Sequence, residues 1–487
     1  MSDQAQGRGV AGVVVLAAGA GTRMKSTTSK LLHRIAGRSM LSYAISAADA
    51  LTPEKLVVVV GHQREQVEEH LTEIAPHVDT AVQENQNGTG DAVRCGLAPL
   101  RDIQGEIVVT YGDVPLLTGE TLVDLVSAHR RHGDAVTLLT AVLDDPTGYG
   151  RIVREADGDQ VAAIVEQKDC TPDQAEITEI NAGIYVFRAD VLREGLESLT
   201  TDNAQGELYL TDVVKFARGR GLNVHSMVLA DRWQTEGVND RVQLATLGKE
   251  YNRRLVEKFQ RAGVTIVDPD TTWLHDTVDI AADVTILPGT SLEGATSIAT
   301  GATIGPDTTL LDVEVGEGAT VVRTHANLAV IGAGASVGPF ANLRPGTQLG
   351  AGGKLGAFVE TKNAQIGERV RVSHLNYVGD AEVGAGANIG AGVIVANYDG
   401  VSKNRTVVGR ESFVGSNSVL VAPVTVADGA FVAAGSALTE DVGPGELAIA
   451  RGRQRNIPGW VESRRAGTKT HQAAVDARTD SEGTHLQ

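Results

Sequence analysis

The sequence predicts an α/β domain built on a parallel sheet, followed by a parallel β-helix, and three observations lead to this prediction. Apolar runs rich in β-branched residues alternate with helix-like segments as far as residue 236. From Ile280 onward, aliphatic residues recur at every sixth position, which is the period of a parallel β-helix. Glycine accounts for 56 of the 487 residues and aromatic residues for only 4%, as tight turns around small aliphatic cores require.

The first half has the pattern of repeated strand–helix units. The segments expected to form buried parallel strands are 13–17, 56–60 and 107–110. Helical spacing of apolar residues is found between them, at 39–51, 64–71 and 89–98. Because such sheets bind ligands beyond the carboxyl ends of their strands, we expect functional residues in the loops that follow the strands.

The second half has a hexapeptide rhythm in which each aliphatic residue is expected to point inside and a turn follows. The aliphatic positions are Ile280, Ile286, Leu292, Ile298, Ile304, Leu310, Ile331, Val337, Leu343, Leu349, Leu355, Ile366, Val372, Val378, Val383, Ile389, Val395, Val408, Val414, Leu420, Val426, Val432 and Leu438. The rhythm breaks between Leu355 and Ile366 and between Val395 and Val408. Solenoids place such extra residues in loops on a functional face.

These rhythms divide the chain into four parts. We predict a first domain over 1–236, a helical linker over 237–262, a β-helix over 263–465 and a disordered tail over 466–487. The linker has one apolar helical face, formed by Leu244, Leu247, Tyr251, Leu255 and Phe259.

Composition excludes several classes of function. A net charge of −18 disfavours a nucleic-acid partner, because phosphate-backbone binding needs an excess of lysine and arginine. The two cysteines, Cys95 and Cys170, are too few for a disulfide framework or a thiolate zinc cluster. The first ten residues lack the pattern of a signal peptide, and no apolar run is long enough to span a membrane. We therefore expect a cytoplasmic protein with no membrane partner.

A glycine-rich segment follows the first predicted strand, and it reads Leu-Ala-Ala-Gly-Ala-Gly-Thr-Arg-Met over residues 16–24. Glycines allow the backbone to approach phosphates, and Arg23 and Lys30 add cationic charge suited to a triphosphate. Met24 stands where a dinucleotide-binding loop has its third glycine, which disfavours a dehydrogenase. The alternative is a purely structural turn.

Two residues are candidates for holding a divalent cation. Asp113 follows a predicted strand and supplies a carboxylate, and Asn239 offers a second oxygen ligand. Taken singly, either residue could equally well cap a helix or a turn.

A second group of reactive residues lies in the β-helix. His374 falls outside the inward-pointing positions and suits a general base, while Arg344, Lys362 and Tyr377 occur in the same stretch of coils. Two cations beside a base indicate a phosphorylated substrate. A zinc-dependent β-helix enzyme would need clustered histidines, and His275 and His325 are too far from His374 in register.

The string from Leu16 to Lys30, with Asp113 and Asn239, resembles the sugar-nucleotide pyrophosphorylases. The resemblance implies that Arg23 and Lys30 are catalytic and that Asp113 and Asn239 bind Mg²⁺. It also implies that UTP and the nucleotide sugar are bound by Leu16, Ala17, Gly19, Gln83, Gly88, Thr89, Gly150, Glu166, Asn181 and Asn239.

The C-terminal motifs, from Leu-Arg-Pro-Gly at 343 to Leu-Val-Ala-Pro-Val at 420, resemble the bifunctional N-acetylglucosamine-1-phosphate uridyltransferase/glucosamine-1-phosphate acetyltransferase family. The resemblance covers residues 10–460 and implies a Rossmann-like nucleotidyltransferase domain, a left-handed β-helix and a homotrimer. His374 would be the catalytic base of acetyl transfer. Glucosamine-1-phosphate would be bound by Arg344, Lys362, Tyr377 and Asn388, and acetyl-CoA by Ala391, Asn397, Tyr398, Lys403, Ser416, Ala434 and Arg451.

The sequence departs from the family at one position, since Ala396 replaces a cysteine that some relatives carry. The mechanism needs no sulfur nucleophile there. The implied function is acetylation of glucosamine-1-phosphate followed by uridylyl transfer from UTP. The alternatives are a monofunctional nucleotidyltransferase whose β-helix only regulates or oligomerises, and a non-catalytic assembly subunit.

Overall fold

The computed structural model describes residues 9–155, 158 and 160–483. The first ten residues, which lack the pattern of a signal peptide, lie mostly outside the described residues. Residues 484–487 of the predicted tail lie outside them as well. The described residues form two compact units that meet between Ala335 and Ser336. This division falls inside the hexapeptide region, and the boundaries expected at 236, 262 and 465 stay predictions.

The N-terminal domain alternates strands and helices as the sequence predicts. Its strands are β1 (Gly12–Ala17), β2 (Arg34–Ile35), β3 (Arg38–Ser39), β4 (Lys55–Val60), β5 (Asp79–Val82), β6 (Glu106–Tyr111), β7 (Val136–Val142), β8 (Arg151–Arg154), β9 (Val161–Val165), β10 (Glu179–Arg188) and β11 (Val224–Val228). Its helices are α1 (Met40–Asp49), α2 (Arg64–Ile74), α3 (Thr89–Gly96), α4 (Gly119–His132), α5 (Pro172–Ala175), α6 (Ala189–Glu197) and α7 (Asp212–Gly219). Single 3₁₀ turns lie at Thr22–Met24, Lys30–Leu32, Ala98–Leu100, Gln167–Asp169 and Arg232–Thr235.

The central sheet has the strand order β11-β7-β10-β6-β1-β4-β5, and β8 and β9 extend it beside β10. Strands β1, β4, β5 and β6 are parallel, as predicted. The sheet as a whole is mixed, because β10 runs antiparallel to both β6 and β7. The expectation of an all-parallel sheet is therefore wrong on this side, where the β8–β9 hairpin leads into β10 without a crossover helix.

Strand β1 shows why this sheet forms. All six of its residues are buried, because helices cover both faces and the strand is a continuous apolar run. Val13 and Val15 pack into a core with α1 and α4, whereas Val14 and Leu16 pack into a second core with α3 and α6. The two cores fix the carboxyl end of β1, and with it the loop that follows.

A long helix, α8 (Arg241–Arg261), follows the domain where the linker helix is predicted. The Asp240 side chain caps it by accepting from the backbone N–H groups of Val242 and Gln243. Asn252 on this helix bonds to the backbone of the first coil, and the Tyr251 hydroxyl donates to Asp276 at 2.7 Å. Asp276 also accepts from Arg38 at 2.8 Å. The first coils therefore pack with the N-terminal domain, which explains why the compact unit extends to Ala335.

The β-helix is built from very short strands. In the first unit these are β12 (Thr265–Ile266), β13 (Trp273–Leu274), β14 (Asp279–Ile280), β15 (Thr285–Ile286), β16 (Ser291–Glu293), β17 (Ser297–Ile298), β18 (Thr303–Ile304), β19 (Thr309–Val315), β20 (Thr320–Val321) and β21 (His325–Ile331). In the second they are β22 (Ser336–Val337), β23 (Asn342–Leu343), β24 (Thr347–Leu349), β25 (Lys354–Leu355), β26 (Glu360–Ile366), β27 (Arg371–Val372), β28 (Tyr377–Val383), β29 (Asn388–Ile389), β30 (Ile394–Ala396), β31 (Thr406–Val408), β32 (Phe413–Val414), β33 (Val419–Val421), β34 (Val424–Val426), β35 (Phe431–Val432), β36 (Ala437–Leu438) and β37 (Leu447–Ala448).

Parallel pairing between successive coils makes three rows of strands, one for each face of the prism. Some coils take 18 residues, as the pairing of Ile286 with Ile304 shows. Others take 17, as between Ile304 and Val321, and the coil that contains Lys403 takes 25, from Asn388 to Phe413. Every aliphatic residue in the predicted series is at most 5% exposed. The fold class predicted from the sequence, an α/β domain followed by a left-handed β-helix, is confirmed.

Two short helices follow the β-helix, α9 (Trp460–Arg464) and α10 (Lys469–Gly483). Helix α10 lies within the segment expected to be disordered, 466–487, and that expectation stays a prediction. This helix has no apolar stripe, which is why the sequence gives no sign of it. Among the described residues, no helix combines the length and the apolar character that crossing a membrane requires.

Candidate active sites

A cavity of about 310 Å³ lies beyond the carboxyl ends of β1 and β6. It is the site at which parallel α/β sheets are expected to bind ligands. Its lining residues are Leu16, Ala17, Ala18, Gly19, Lys30, Leu31, Gln83, Gln86, Gly88, Thr89, Ala92, Tyr111, Asp113 and Glu207. Eight of the predicted site residues thus surround one cavity, although they are spread over almost 100 positions of the chain.

The glycine-rich loop curls back onto Lys30. Gly21 has a φ of +58°, and a Cβ there would lie 2.8 Å from the Cβ of Lys30, so a side chain at this position would push Lys30 away. Arg23 projects from the same loop, is exposed and does not line the cavity. The loop therefore directs one of the two predicted cations into the cavity and leaves the other at the surface.

Lys30 forms an ion pair with Asp113 inside this cavity, and the two side chains are only 11% and 19% exposed. The Asp113 backbone carbonyl accepts from the N–H of Val238 at 3.0 Å, which brings the segment containing Asn239 beside Asp113. Among the described residues no cluster of three or more histidine, cysteine or carboxylate side chains could hold a metal ion. A cation at this point would have Asp113, Asn239 and ligand oxygens around it, a donor set that suits Mg²⁺.

The cavity includes residues that the sequence analysis did not single out, notably Tyr111, Gln86 and Glu207. Burial raises the pKa of the Tyr111 hydroxyl, and the charge of Asp113 raises it further. Tyr111 directly precedes Gly112 and Asp113 at the end of a predicted strand, so the sequence does contain a signal that places it at this site. Glu207 comes from a loop far along the chain and has no local signal.

Gly150, Glu166 and Asn181 form a second predicted group. The Asn181 N–H donates to the Gly150 carbonyl at 2.8 Å, and a Cβ at Gly150 would lie 3.5 Å from a carboxylate oxygen of Glu166. Burial raises the pKa of Glu166, which accepts a bond from the Thr211 hydroxyl at 3.3 Å. Glu166 also lines a separate cavity of about 750 Å³. The structure thus brings these three residues together.

Three cations gather on one face of the second unit. Arg344 and Lys362 hold equivalent positions on neighbouring coils, since the Arg344 N–H donates to Thr361 and Lys362 directly follows Thr361. The Lys403 ammonium lies against Lys362 and lowers the pKa of Lys362. We call Arg344, Lys362 and Lys403 the cationic patch. Cations held this close favour an anionic ligand.

Asp380 and Asn397 anchor the loop that carries Lys403. The Asn397 amide donates to Asp380 and, at 3.4 Å, to the Tyr377 hydroxyl. Bonds from Asn363 and Asn397 outweigh burial and lower the pKa of Asp380. The loop closes as a hairpin through a bridge between Tyr398 and Lys403. These bonds hold Tyr377 and Asn397 next to the cationic patch, and they hold Lys403 in the patch, within one chain.

A different column of residues contains His374. Arg371 pairs with Asn388, and Asn388 pairs with Phe413, on successive coils. The residue three positions after each of these lies in the turn that follows. His374, Ala391 and Ser416 therefore lie at the same corner of successive coils. The pairing of Phe413 with Phe431 adds Ala434. A Cβ at Gly435 would lie 3.8 Å from the Arg451 side chain, so Arg451 reaches the end of this column.

His374 is exposed, as its position outside the aliphatic series predicts. Among the described residues, no hydrogen bond or ion pair joins the His374 column to the cationic patch. Tyr377 is three residues after His374 and limits their separation to about 10 Å along the chain. The two groups thus occupy a corner of the prism and the adjoining face.

The comparisons with known proteins agree with this arrangement. Residues 12–240 match the family model described as Nucleotidyl transferase. The fold and the first cavity therefore define a nucleotidyltransferase that carries a hexapeptide β-helix.

Full-length relatives are found in several bacteria. The bifunctional protein GlmU of Pseudarthrobacter chlorophenolicus is 55% identical, over 98% of this chain and 97% of its own length. The GlmU proteins of Corynebacterium efficiens and Mycolicibacterium gilvum are 54% and 56% identical over 96% and 95% of this chain, and over 96% and 94% of their own lengths. The chain belongs to the GlmU family of bifunctional proteins.

Membership of this family establishes the general function. The chain is a bifunctional enzyme of UDP-N-acetylglucosamine biosynthesis, with uridyltransferase and acetyltransferase activities. The alternatives of a monofunctional nucleotidyltransferase and a non-catalytic subunit are disfavoured.

Proposed function

We propose that the β-helix acetylates glucosamine-1-phosphate with acetyl-CoA and that the N-terminal domain then joins the product to UTP. The observation that supports this most directly is the cationic patch, which lies on the face next to the corner of His374. A β-helix that served only for assembly would have no reason to hold Lys403 against Lys362, where the two ammonium groups repel each other.

In acetyl transfer, His374 takes a proton from the amine of glucosamine-1-phosphate. The amine nitrogen attacks the thioester carbonyl carbon of acetyl-CoA, the carbon–sulfur bond breaks, and the CoA thiolate takes up the proton. The sugar phosphate is held by Arg344 and Lys362, with Tyr377 and Asn388 beside it. Acetyl-CoA lies along the column that contains Ala391, Ser416, Ala434 and Arg451, while Asn397, Tyr398 and Lys403 reach it from the hairpin.

In uridylyl transfer, a phosphate oxygen of N-acetylglucosamine-1-phosphate attacks the α-phosphorus of UTP, and the bond to the β-phosphate breaks to release pyrophosphate. Lys30 and Arg23 neutralise the charge that develops on the phosphates. The base and ribose lie against Leu16, Ala17, Gly19, Gln83 and Gly88-Thr89. Gly150, Glu166 and Asn181 bind the sugar. No protein nucleophile is needed.

We infer that Mg²⁺ is the metal of this reaction. The carboxylate of Asp113 and the amide oxygen of Asn239 fit a hard cation that takes its other ligands from phosphate oxygens and water. When bound, the ion supplies positive charge to the phosphates. Lys30 contacts only the Oδ2 oxygen of Asp113, so the carboxylate would keep its other oxygen for the ion, and the Lys30 ammonium would reach the same phosphates.

We also infer a homotrimer in which the acetyl site is completed by a second chain. An exposed column of Phe340, Phe358 and Leu375 follows the corner of His374, and all three have a φ near +60°. Bulky residues rarely take this conformation, and exposed apolar ones are expected where another molecule packs. The cytoplasmic location stays a prediction, which cell fractionation would test.

The experiment that tests the function separates the two reactions. Asp113→Ala should abolish pyrophosphate release from UTP and leave acetyl transfer near the wild-type rate, whereas His374→Ala should do the reverse. The two rates are measured separately by mass spectrometry: acetyl transfer from glucosamine-1-phosphate and acetyl-CoA, and uridylyl transfer from N-acetylglucosamine-1-phosphate, UTP and Mg²⁺. If either variant, correctly folded, lost both activities, the proposal of two independent sites would be wrong.

A further inference from the structure

Gln83 is held in one orientation by two acceptors. Its side-chain nitrogen Nε2 donates to the carboxylate oxygen Oδ2 of Asp91 at 3.1 Å and to the carbonyl oxygen of Gly88 at 3.2 Å. A carboxylate and a backbone carbonyl can only accept, so the atom that faces them must be the amide nitrogen. This contact fixes the assignment of the amide, which otherwise has to be inferred.

Burial makes this orientation costly to change. Gln83 is 5% exposed and Asp91 is 7% exposed. Turning the amide over would place its oxygen against two other oxygens in a site shielded from water, where their lone pairs repel each other. Arg94 pairs from the outer side with the other carboxylate oxygen, Oδ1, so the Gln83 contact at Oδ2 does not involve Arg94.

The fixed nitrogen leaves the other end of the amide for a ligand. The Oε1 oxygen of Gln83 has no hydrogen-bond partner among the residues that the structure describes, and Gln83 lines the 310 Å³ cavity. The cavity therefore presents a hydrogen-bond acceptor, and not a donor, at this point. A nucleobase edge that carries an N–H group satisfies it.

We propose that Asp91 is a positioning residue for base selection: it holds Gln83 so that the nucleotide site accepts uracil and rejects cytosine. The proposal rests on the proposed uridylyl transfer. Uracil carries a hydrogen on N3, whereas the N3 of neutral cytosine has a lone pair, which would face the lone pairs of Gln83 Oε1. Asp91 itself touches no substrate; it acts only through Gln83.

The loop geometry explains why Asp91 is available for this role. Gly88 has a φ of +109°, and a Cβ there would lie 2.6 Å from the carbonyl oxygen of Leu208, so only glycine fits. The chain turns at Gly88 into helix α3, and Asp91 lies in the first turn of that helix, facing Gln83.

The test compares UTP with CTP in four proteins: the wild type, Asp91→Leu, Asp91→Asn and Arg94→Ala. For each, kcat/KM with N-acetylglucosamine-1-phosphate and Mg²⁺ is measured from pyrophosphate release, and nucleotide binding is measured by calorimetry. Leucine keeps the size of Asp91 and removes the acceptor, so we expect the UTP:CTP ratio to fall about tenfold, mainly through UTP. Asparagine keeps an acceptor oxygen, and Arg94→Ala leaves the Asp91–Gln83 bond intact, so both should hold the ratio within about threefold of the wild type.

Acetyl transfer by the same proteins reports whether they are folded. An unchanged ratio in Asp91→Leu, or equal losses with UTP and CTP, would overturn the role of Asp91 and leave the uridyltransferase proposal standing. If the wild type releases no pyrophosphate from UTP, the proposed function fails first, and the inference fails with it.

Discussion

Lys30 and Asp113 form an ion pair in the cavity where the metal and the triphosphate are proposed to meet. The ammonium thus occupies one side of the carboxylate that a cation would use. Because Coulomb attraction at a partly buried site is stronger than in water, Mg²⁺ alone must compete with Lys30 for Asp113. A metal that arrives with UTP meets less competition, since the phosphates attract Lys30 away.

This relationship predicts that Lys30→Met binds Mn²⁺, a spectroscopic substitute for Mg²⁺, about tenfold more tightly than the wild type in the absence of nucleotide. The same variant should lose most of its uridylyl transfer, because its phosphate contact is gone. Electron paramagnetic resonance of free Mn²⁺ measures the affinity. Lys25→Met, an exposed neighbour on the same loop, is the matched control and should bind Mn²⁺ like the wild type. Unchanged affinity in Lys30→Met would mean that the ion pair does not restrict the metal.

The cationic patch predicts a shift in pH dependence. Lys403 lowers the pKa of Lys362, so Lys362 loses its proton at a lower pH than an ordinary lysine does. As the pH rises, affinity for the phosphate of glucosamine-1-phosphate should therefore begin to fall at a lower pH than it would with an ordinary lysine. In Lys403→Met the pKa of Lys362 rises again, and the fall should begin at a higher pH, although the affinity at neutral pH is weaker.

Calorimetric titration with glucosamine-1-phosphate from pH 7 to pH 10 measures this effect. Arg405→Met serves as the control, because Arg405 pairs with Glu382 outside the patch. A pH profile of Lys403→Met that overlays the wild type would contradict coupling between the two lysines.

The separation of His374 from the cationic patch predicts complementation between chains. His374→Ala and a double variant, Lys362→Ala with Lys403→Ala, should each lack acetyl transfer. If the site lies between neighbouring chains, each mixed trimer has one interface with both halves intact. Random equal mixing makes about three quarters of the trimers mixed, so co-refolding should restore about a quarter of the wild-type rate.

Native mass spectrometry verifies that the trimers are mixed, and separately refolded variants provide the baseline. Mixed trimers without activity would show that His374 and the patch work within a single chain.

Asp276 predicts that the N-terminal domain depends on the first coils for stability. A fragment that ends at residue 262 loses Asp276, the acceptor for Arg38 and Tyr251. Two donors without partners cost about 1–3 kcal/mol each, and about 1 kcal/mol lowers the Tm of a domain of this size by about 2–4 °C. Its Tm should therefore lie at least about 4 °C below that of a fragment ending at residue 335. Scanning calorimetry compares the two fragments. Both should keep uridylyl transfer, whereas the shorter one should not self-associate. Equal Tm values would show that Asp276 contributes nothing to stability.

The regular parts of the fold could be predicted from local pattern. The aliphatic series of the β-helix is buried throughout, because the period of six fixes which side chain points inside. Strand and helix limits in the first half differ from the prediction by a few residues. The antiparallel course of β10 has no local signal, since buried parallel and antiparallel strands are equally apolar.

The sites could be predicted only in part. Glycines, cations and carboxylates in known motifs identify the residues around the first cavity. The ion pair of Lys30 with Asp113 joins positions 83 residues apart and depends on the completed sheet. Likewise, the bond that orients Gln83 depends on the turn at Gly88, and the contact of Lys403 with Lys362 depends on how the hairpin closes.

The stacking of the coils limits how this protein can change in length. Deleting or duplicating a whole coil returns every later side chain to its own face and only slides it along the prism axis by about 4.8 Å. Adding six residues instead turns everything downstream by one face, which would carry Ser416 and Ala434 away from the corner of His374. Neutral drift in length should thus proceed in whole coils, in corners shortened by one or two residues, or in loops that leave the winding unchanged, such as the hairpin with Lys403. The residues of the acetyl site therefore stay on one corner only when the chain between them completes whole turns of the β-helix.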